Sequence, residues 1–235
     1  MVGYLDLIGW LDGLTALAII VSSVTFGIVC VIKGTRSNAK LLTYAGIMTL
    51  CIGSFWLGPT TDLFMWLLFE THITPPEIYG LLSYTMIGPG VVIVAIIGGE
   101  LIAPSKKKTL IVIMSISGII FEIFLWGFTT SSFKPFETPA LGRLLDASFN
   151  THYYTFFLIA FFLVYLLIFV ATGFAVKAKK SIGILRNKFI YMAIAFYIFV
   201  ITGLFDALLD PGIAIGIVRL FMCSFSVLMY LGLKT

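Results

Sequence analysis

The chain has little charge. Only 11% of its 235 residues are Asp, Glu, Lys or Arg, while 60% are hydrophobic and the mean hydropathy is +1.10. A water-soluble domain carries about 25% charged residues, so a soluble enzyme or soluble binding module is excluded. Histidine is scarce, with only His72 and His152. Both fall between long apolar runs, so no Ser-His-Asp arrangement at a common depth is available. No run carries a His-rich or Glu-Glu motif of the kind that hydrolases or proteases within the membrane use. Cysteine is limited to Cys30, Cys51 and Cys223, all inside apolar runs. That is where small packing cysteines sit, and the spacing suits neither a disulfide framework nor a metal site. The interior of the last run has no lysine, Lys234 being at its very end, which argues against a retinal Schiff base there. No catalytic residue, metal or cofactor is expected. The first twelve residues contain Asp6 and Asp12 but no Lys or Arg, so the positive segment of a signal peptide is absent and the first run is expected to be a retained span. The net charge of +4 is concentrated in a few loops and does not point to nucleic acid.

What the chain does have is long apolar runs. A bilayer crossing needs about 20 apolar residues, and seven such runs fit: Trp10 to Ile32, Leu41 to Leu57, Ile78 to Ala103, Thr109 to Phe128, Tyr154 to Val176, Phe189 to Leu209 and Ile213 to Leu233. The expected fold is a single all-α integral membrane domain of seven transmembrane helices. Gly58-Pro59 is expected to break or kink the second span, leaving Thr60 to Glu70 either to continue it or to lie along the interface. Gly88-Pro89-Gly90, in the middle of the third span, is read as a hinge. In the long loop from Thr129 to Tyr153, Leu141 to Phe149 is a short amphipathic stretch.

Basic residues set the orientation. The connections after spans 1, 3 and 5 carry three, three and five Lys or Arg; those after spans 2, 4 and 6 carry none, two and none. Lys and Arg concentrate in cytoplasmic loops, so the N-terminus is expected outside and the C-terminus inside, in the cell membrane of a prokaryote. A repeat also suggests itself. After the last basic residue of two inner loops, Lys40 and Lys188, an Asp follows 22 positions on, Asp62 and Asp210, each near a Pro. Spans 1–3 and 5–7 then read as a three-one-three parallel repeat joined by span 4, a plan some carriers use.

Three ionisable residues lie inside the apolar runs. Asp206 is near the outer end of span 6, Arg219 is six residues into span 7, and Glu122 is about six residues inside the outer end of span 4. At about 1.5 Å per residue, all three fall within about 10 Å of one boundary. Charges at such depth normally face the bundle interior and pair, so Glu122, Asp206 and Arg219 are the candidate ligand site or buried polar cluster. Glu100, near the inner end of span 3, reads as an interfacial carboxylate offset by Lys106 to Lys108. Phe64, Trp66, Phe69, Phe133, Phe136, Phe149, Tyr153 and Tyr154 gather at the outer side, as an aromatic belt or as a lid over a cavity for a lipid-like molecule.

Arg219, the closing Leu228-Met229-Tyr230-Leu231-Gly232, the compact seven spans and the outer-leaflet polar residues together resemble the seven-helix sensor regions that precede the kinase part of some prokaryotic histidine kinases. The chain is also similar to uncharacterised small seven-helix membrane proteins of archaea. The sensor kinases continue into signalling domains, whereas this sequence stops at Lys234-Thr235. The resemblance implies a sensor or receptor-like protein that binds a small or lipid-like ligand in the outer half of the bundle and passes its state to a cytoplasmic or membrane protein partner. Alternatives from other classes are a small-solute carrier and a structural subunit of a membrane complex. The three-one-three plan resembles the small sugar uniporters, whose Pro-Gln motifs are absent here.

Overall fold

The computed structural model describes residues 4–209 and 212–234. Asp210 and Pro211, on which half of the repeat and the closing turn of spans 6 and 7 rest, lie outside the described residues. Among the described residues, seven helical stretches are long and apolar enough to cross a membrane. Span 1 is α1, Leu7–Arg36. Span 2 is α2, Lys40–Gly53, a 3-10 turn at Ser54–Trp56, and α3, Leu57–Phe69. Span 3 is α4, Glu77–Tyr84, followed by α5, Ile87–Leu101. Span 4 is chiefly α6, Lys107–Gly127. After a short α7, Thr129–Ser132, and the long loop, span 5 runs through α8, Tyr154–Val164, a π-helical segment, Tyr165–Ala171, and α9, Thr172–Lys180. Spans 6 and 7 are α10, Gly183–Leu208, and α11, Ile213–Leu233.

Spans 1, 5 and 6 are longer than their apolar runs because their helices continue through the basic flanks. Lys33 and Arg36 end α1, and Lys177, Lys179 and Lys180 end α9. Cations at a helix C-terminus complement its dipole, and their long stems let the charge reach water. At the other end of α1, Asp6 is the N-cap, accepting from the Gly9 backbone N–H at 2.6 Å. That bond, aided by Arg143, holds the Asp6 carboxyl below its usual range.

Two of the three helix irregularities follow from proline. Pro89 has no N–H, and its ring crowds the carbonyl four residues back, which is Thr85. The backbone gives way there: α4 ends at Tyr84 and α5 begins at Ile87. Pro59 likewise crowds Phe55, inside the 3-10 turn. The break lies a little before each proline: where a hinge is expected at Gly88-Pro89-Gly90, these three residues are helical and the helix is interrupted at Thr85–Met86. Residues 60–69 continue the second span as helix, which resolves the alternative left open above; Glu70 ends it in a left-handed conformation (φ 54°). The spans pack as a ring in chain order, with α11 closing back onto α1 and also touching α2.

In the long loop, Leu141 to Phe149 buries Leu144, Leu145 and Ala147 and exposes Leu141, Asp146 and Ser148, without forming a helix, and Phe133 bridges Phe149 in antiparallel fashion. Lys134 N–H donates to Ser148 O at 2.9 Å and Asn150 N–H to Ser132 O at 3.0 Å. The aromatics at this end of the bundle divide into two groups. Phe133 is buried and packs with Phe136, Phe149 and Tyr84 at centroid distances of 5.9, 4.9 and 5.8 Å. Phe64, Phe69 and Tyr154 are exposed on the bundle, as belt residues are.

Candidate functional site

Arg219 is buried, and its guanidinium joins three spans. Its Nε donates to Asp206 Oδ1 on α10 at 2.7 Å. A terminal nitrogen donates to the backbone carbonyl of Asp12 on α1 at 2.9 Å and also to the Asp12 carboxylate. The planar fork of arginine suits such simultaneous engagement, which a lysine point charge would not match. Asp206 and Arg219 therefore meet as expected from their depths, but the third member is Asp12, not Glu122. Asp12 was legible only as a charge near the start of span 1. The signal that would have found it is the helical face it shares: Asp12, Ala16, Ile19, Ser23, Gly27, Cys30 and Gly34 are all buried. A stripe of small residues is what lets membrane helices approach closely. Along it, Ser22 donates to Cys223 O at 3.1 Å, Ser23 and Ser226 hydroxyls lie 3.2 Å apart, and Lys33 donates to Tyr230 Oη at 2.5 Å. Spans 1 and 7 are thus joined at three depths.

Glu122 has a different role. Its Oε1 accepts from the Gly88 backbone N–H at 3.1 Å. Gly88 stands in the first turn of α5, where the chain break leaves N–H groups without helical partners, and a carboxylate there also complements the dipole. Span 4 approaches closely because Gly88 faces Gly118: a methyl group on Gly118 would come within 3.1 Å of the Gly88 carbonyl oxygen. Two separate sequence features, the Gly88-Pro89-Gly90 hinge and Glu122, thus belong to one contact between α5 and α6. Glu100 pairs with Lys107 at 2.6 Å, as its setting suggested.

A second buried carboxylate, Asp62 on α3, is fully enclosed. Its Oδ1 accepts from Ile73 N–H at 2.9 Å; its Oδ2 accepts from Leu145 N–H at 2.8 Å and contacts His72 Nδ1 at 2.9 Å. His72 also lies against Trp66, centroids 4.7 Å apart. One side chain therefore ties the loop after span 2 and the long loop after α7 to the end of span 2. Arg143 Nε to Asp6 Oδ2, at 2.5 Å, and Asp6 N–H to Gly142 O, at 2.9 Å, tie the same long loop to the start of span 1. Asp62 appeared in the sequence only as a repeat marker. Among the described residues, no three His, Cys, Asp or Glu side chains converge on a point that could hold a metal.

Between spans 2, 3, 5 and 6 lies a cavity of about 80 Å³ lined entirely by apolar residues, among them Ile52, Phe55, Gly90, Val94, Leu166 and Phe199. Its walls include two irregular segments, through Phe55 from the 3-10 turn of span 2 and Leu166 from the π-helical segment of span 5, and the first helical turn after the break in span 3, through Ile87 and Gly90. π-bulges are frequent at functional sites. A methyl group on Gly90 would meet only Cys51 Cβ, at 3.6 Å, so this glycine is not demanded by helix packing; it leaves the cavity open. The volume is about half that of the ~150 Å³ dry apolar cavity that admits benzene. It suits a length of hydrocarbon chain rather than a polar solute. The chain matches no protein-family model, no curated protein and no solved structure.

Proposed function

We propose that this protein is a non-enzymatic, receptor-like membrane sensor whose ligand is lipid-like and lodges its hydrocarbon part in the cavity between spans 2, 3, 5 and 6. The observation that carries the reading is that the cavity has no polar lining and is walled by irregular segments of spans 2 and 5 and by the turn that follows the break in span 3. Regular helices would pack the same residues with less cost, since off-register turns leave backbone groups to be resatisfied. The buried Asp12–Arg219–Asp206 cluster acts here as the clamp that holds spans 1, 6 and 7 fixed, against which spans 2, 3 and 5 adjust to an occupant. A change at Thr85–Met86 would move the basic end of span 3 and be read there by a protein partner. The likeness to the sensor regions of histidine kinases supports the same reading.

Gly90→Leu tests it, because Gly90 lines the cavity and a Cβ there meets no backbone within 4 Å. The expected result is a folded, monodisperse protein, as stable as the parent or more so, that no longer retains the lipid-like molecule which native mass spectrometry finds on the parent. Equal retention by both proteins would end the assignment. A carrier is the second reading, favoured by the same break in span 3 and by the three-one-three plan; uptake of a labelled solute into liposomes holding the protein would establish it in place of the sensor. A structural subunit would instead copurify in a fixed ratio with a larger complex and carry no ligand.

The reading places the N-terminus outside, on the asymmetry of the basic loops. A membrane-impermeant thiol reagent on intact cells is expected to label Thr138→Cys and to leave Ser105→Cys and Ser181→Cys untouched. The opposite pattern would invert the bundle.

A further inference from the structure

We propose that the basic end of the crevice between spans 5 and 6 binds one anionic phospholipid, through Lys179 and Arg186 at its mouth and an apolar floor beneath them. The assignment is independent of the cavity described above, since no residue lines both. Helices α9 and α10 are joined by Ser181 and Ile182 alone, so the hairpin sets Lys179 and Arg186 on opposite lips of the crevice. Below them the walls are Ala178 and Ala175 on one side and Ile190, Ala193 and Ile194 on the other. The alanines give the crevice its room. Tyr197 closes the deep end, its hydroxyl 3.0 Å from Thr172 Oγ1.

The charge distribution calls for an anion from outside the chain. Lys179 and Arg186 are both exposed, and neither is in a salt bridge among the described residues. The only carboxylate side chain near this end of the bundle is Glu100, and Lys107 takes it. A ligand that satisfies both halves of the crevice has a phosphate for the two cations and a hydrocarbon chain for the floor. A free phosphate would leave the floor bare, and a zwitterionic lipid would bring its own cation to the lips. Basic pockets between transmembrane helices are where anionic headgroups settle, with the arginine fork and the lysine ammonium dividing the phosphate oxygens between them.

The test is native mass spectrometry of the purified full chain in detergent, with equimolar phosphatidylglycerol and phosphatidylcholine of distinguishable mass. Phosphatidylglycerol is expected to be retained in preference. Lys179→Gln with Arg186→Gln, both at exposed positions and so neutral for folding, is expected to weaken its retention by roughly tenfold or more. Lys106→Gln with Lys108→Gln, which removes the same charge elsewhere at this end, is expected to change it less than twofold. Millimolar inorganic phosphate is expected not to displace the lipid. Equal retention of the two lipids, an unchanged Lys179/Arg186 variant, or the same loss in the Lys106/Lys108 variant would each overturn the proposal; displacement by inorganic phosphate would overturn it in favour of a free-phosphate site.

Discussion

Arg219→Ala is expected to lower the stability of the detergent-solubilised protein by about 3–5 kcal/mol, the usual result of removing one partner from a buried ion pair. The substitution leaves two carboxylates, Asp12 and Asp206, facing each other without a cation, and it deprives the Asp12 carbonyl of a donor. For a chain of this size such a loss corresponds to roughly 6–20 °C in the thermal midpoint, with a matching fall in monodisperse yield. The triple change Arg219→Ala, Asp12→Asn and Asp206→Asn should recover much of that loss, because no uncompensated charge remains and two amides can bond each other. Arg219→Lys should fall between, since one ammonium cannot span the two carboxylates as a guanidinium does. If Arg219→Ala melts with the parent, the three-span clamp is wrong.

Asp62→Asn is expected to release the long loop between spans 4 and 5 while leaving the bundle folded. An asparagine offers one acceptor oxygen where the carboxylate serves three contacts, so it can keep Ile73 N–H or Leu145 N–H but presents an amide N–H₂ to the other. A buried donor left without a partner costs about 1–3 kcal/mol, and the lost charge assistance adds to that. Local opening of the loop should become easier by roughly 2–3 kcal/mol, so that trypsin cuts after Arg143 about thirty- to hundredfold faster in Asp62→Asn than in the parent. Lysines at the other end, such as Lys177, should be cut at the parent's rate. Equal cleavage after Arg143 in the two proteins would show that the loop is held by Asp6 and its aromatic contacts alone.

How far each residue could be placed from sequence depended on which coordinate the placement required. Asp206 and Arg219 were legible because their spans are successive and so have to be neighbours, and because their depths agree. Glu122 has the same depth, and depth alone put it with them; its angular position around the ring puts it instead against Gly88, on the contact between spans 3 and 4. Asp12 was missed for the converse reason. It lies 207 positions from Arg219, and only the closure of the ring between α1 and α11 brings the two together. The loop residues were least legible: nothing local to Ile73 or Leu145 announces that each donates its N–H to Asp62, since those bonds depend on where three distant backbones converge.

By itself, the sequence determined that the chain is an all-helical membrane protein of seven spans, because the length and polarity of each run are local properties that the bilayer thickness reads directly. It also determined that the second and third spans break beside Pro59 and Pro89, since a missing N–H and a ring clash act on the residue's own turn. Only the tertiary structure decided which buried charges meet, that Asp62 fastens two loops to the end of span 2, and that the irregular turns of spans 2 and 5 and the start of α5 line one apolar cavity. Each of these requires the rotation of every helix about its axis and its place in the ring. Those are set by close packing summed over the whole bundle, to which no single segment holds the answer.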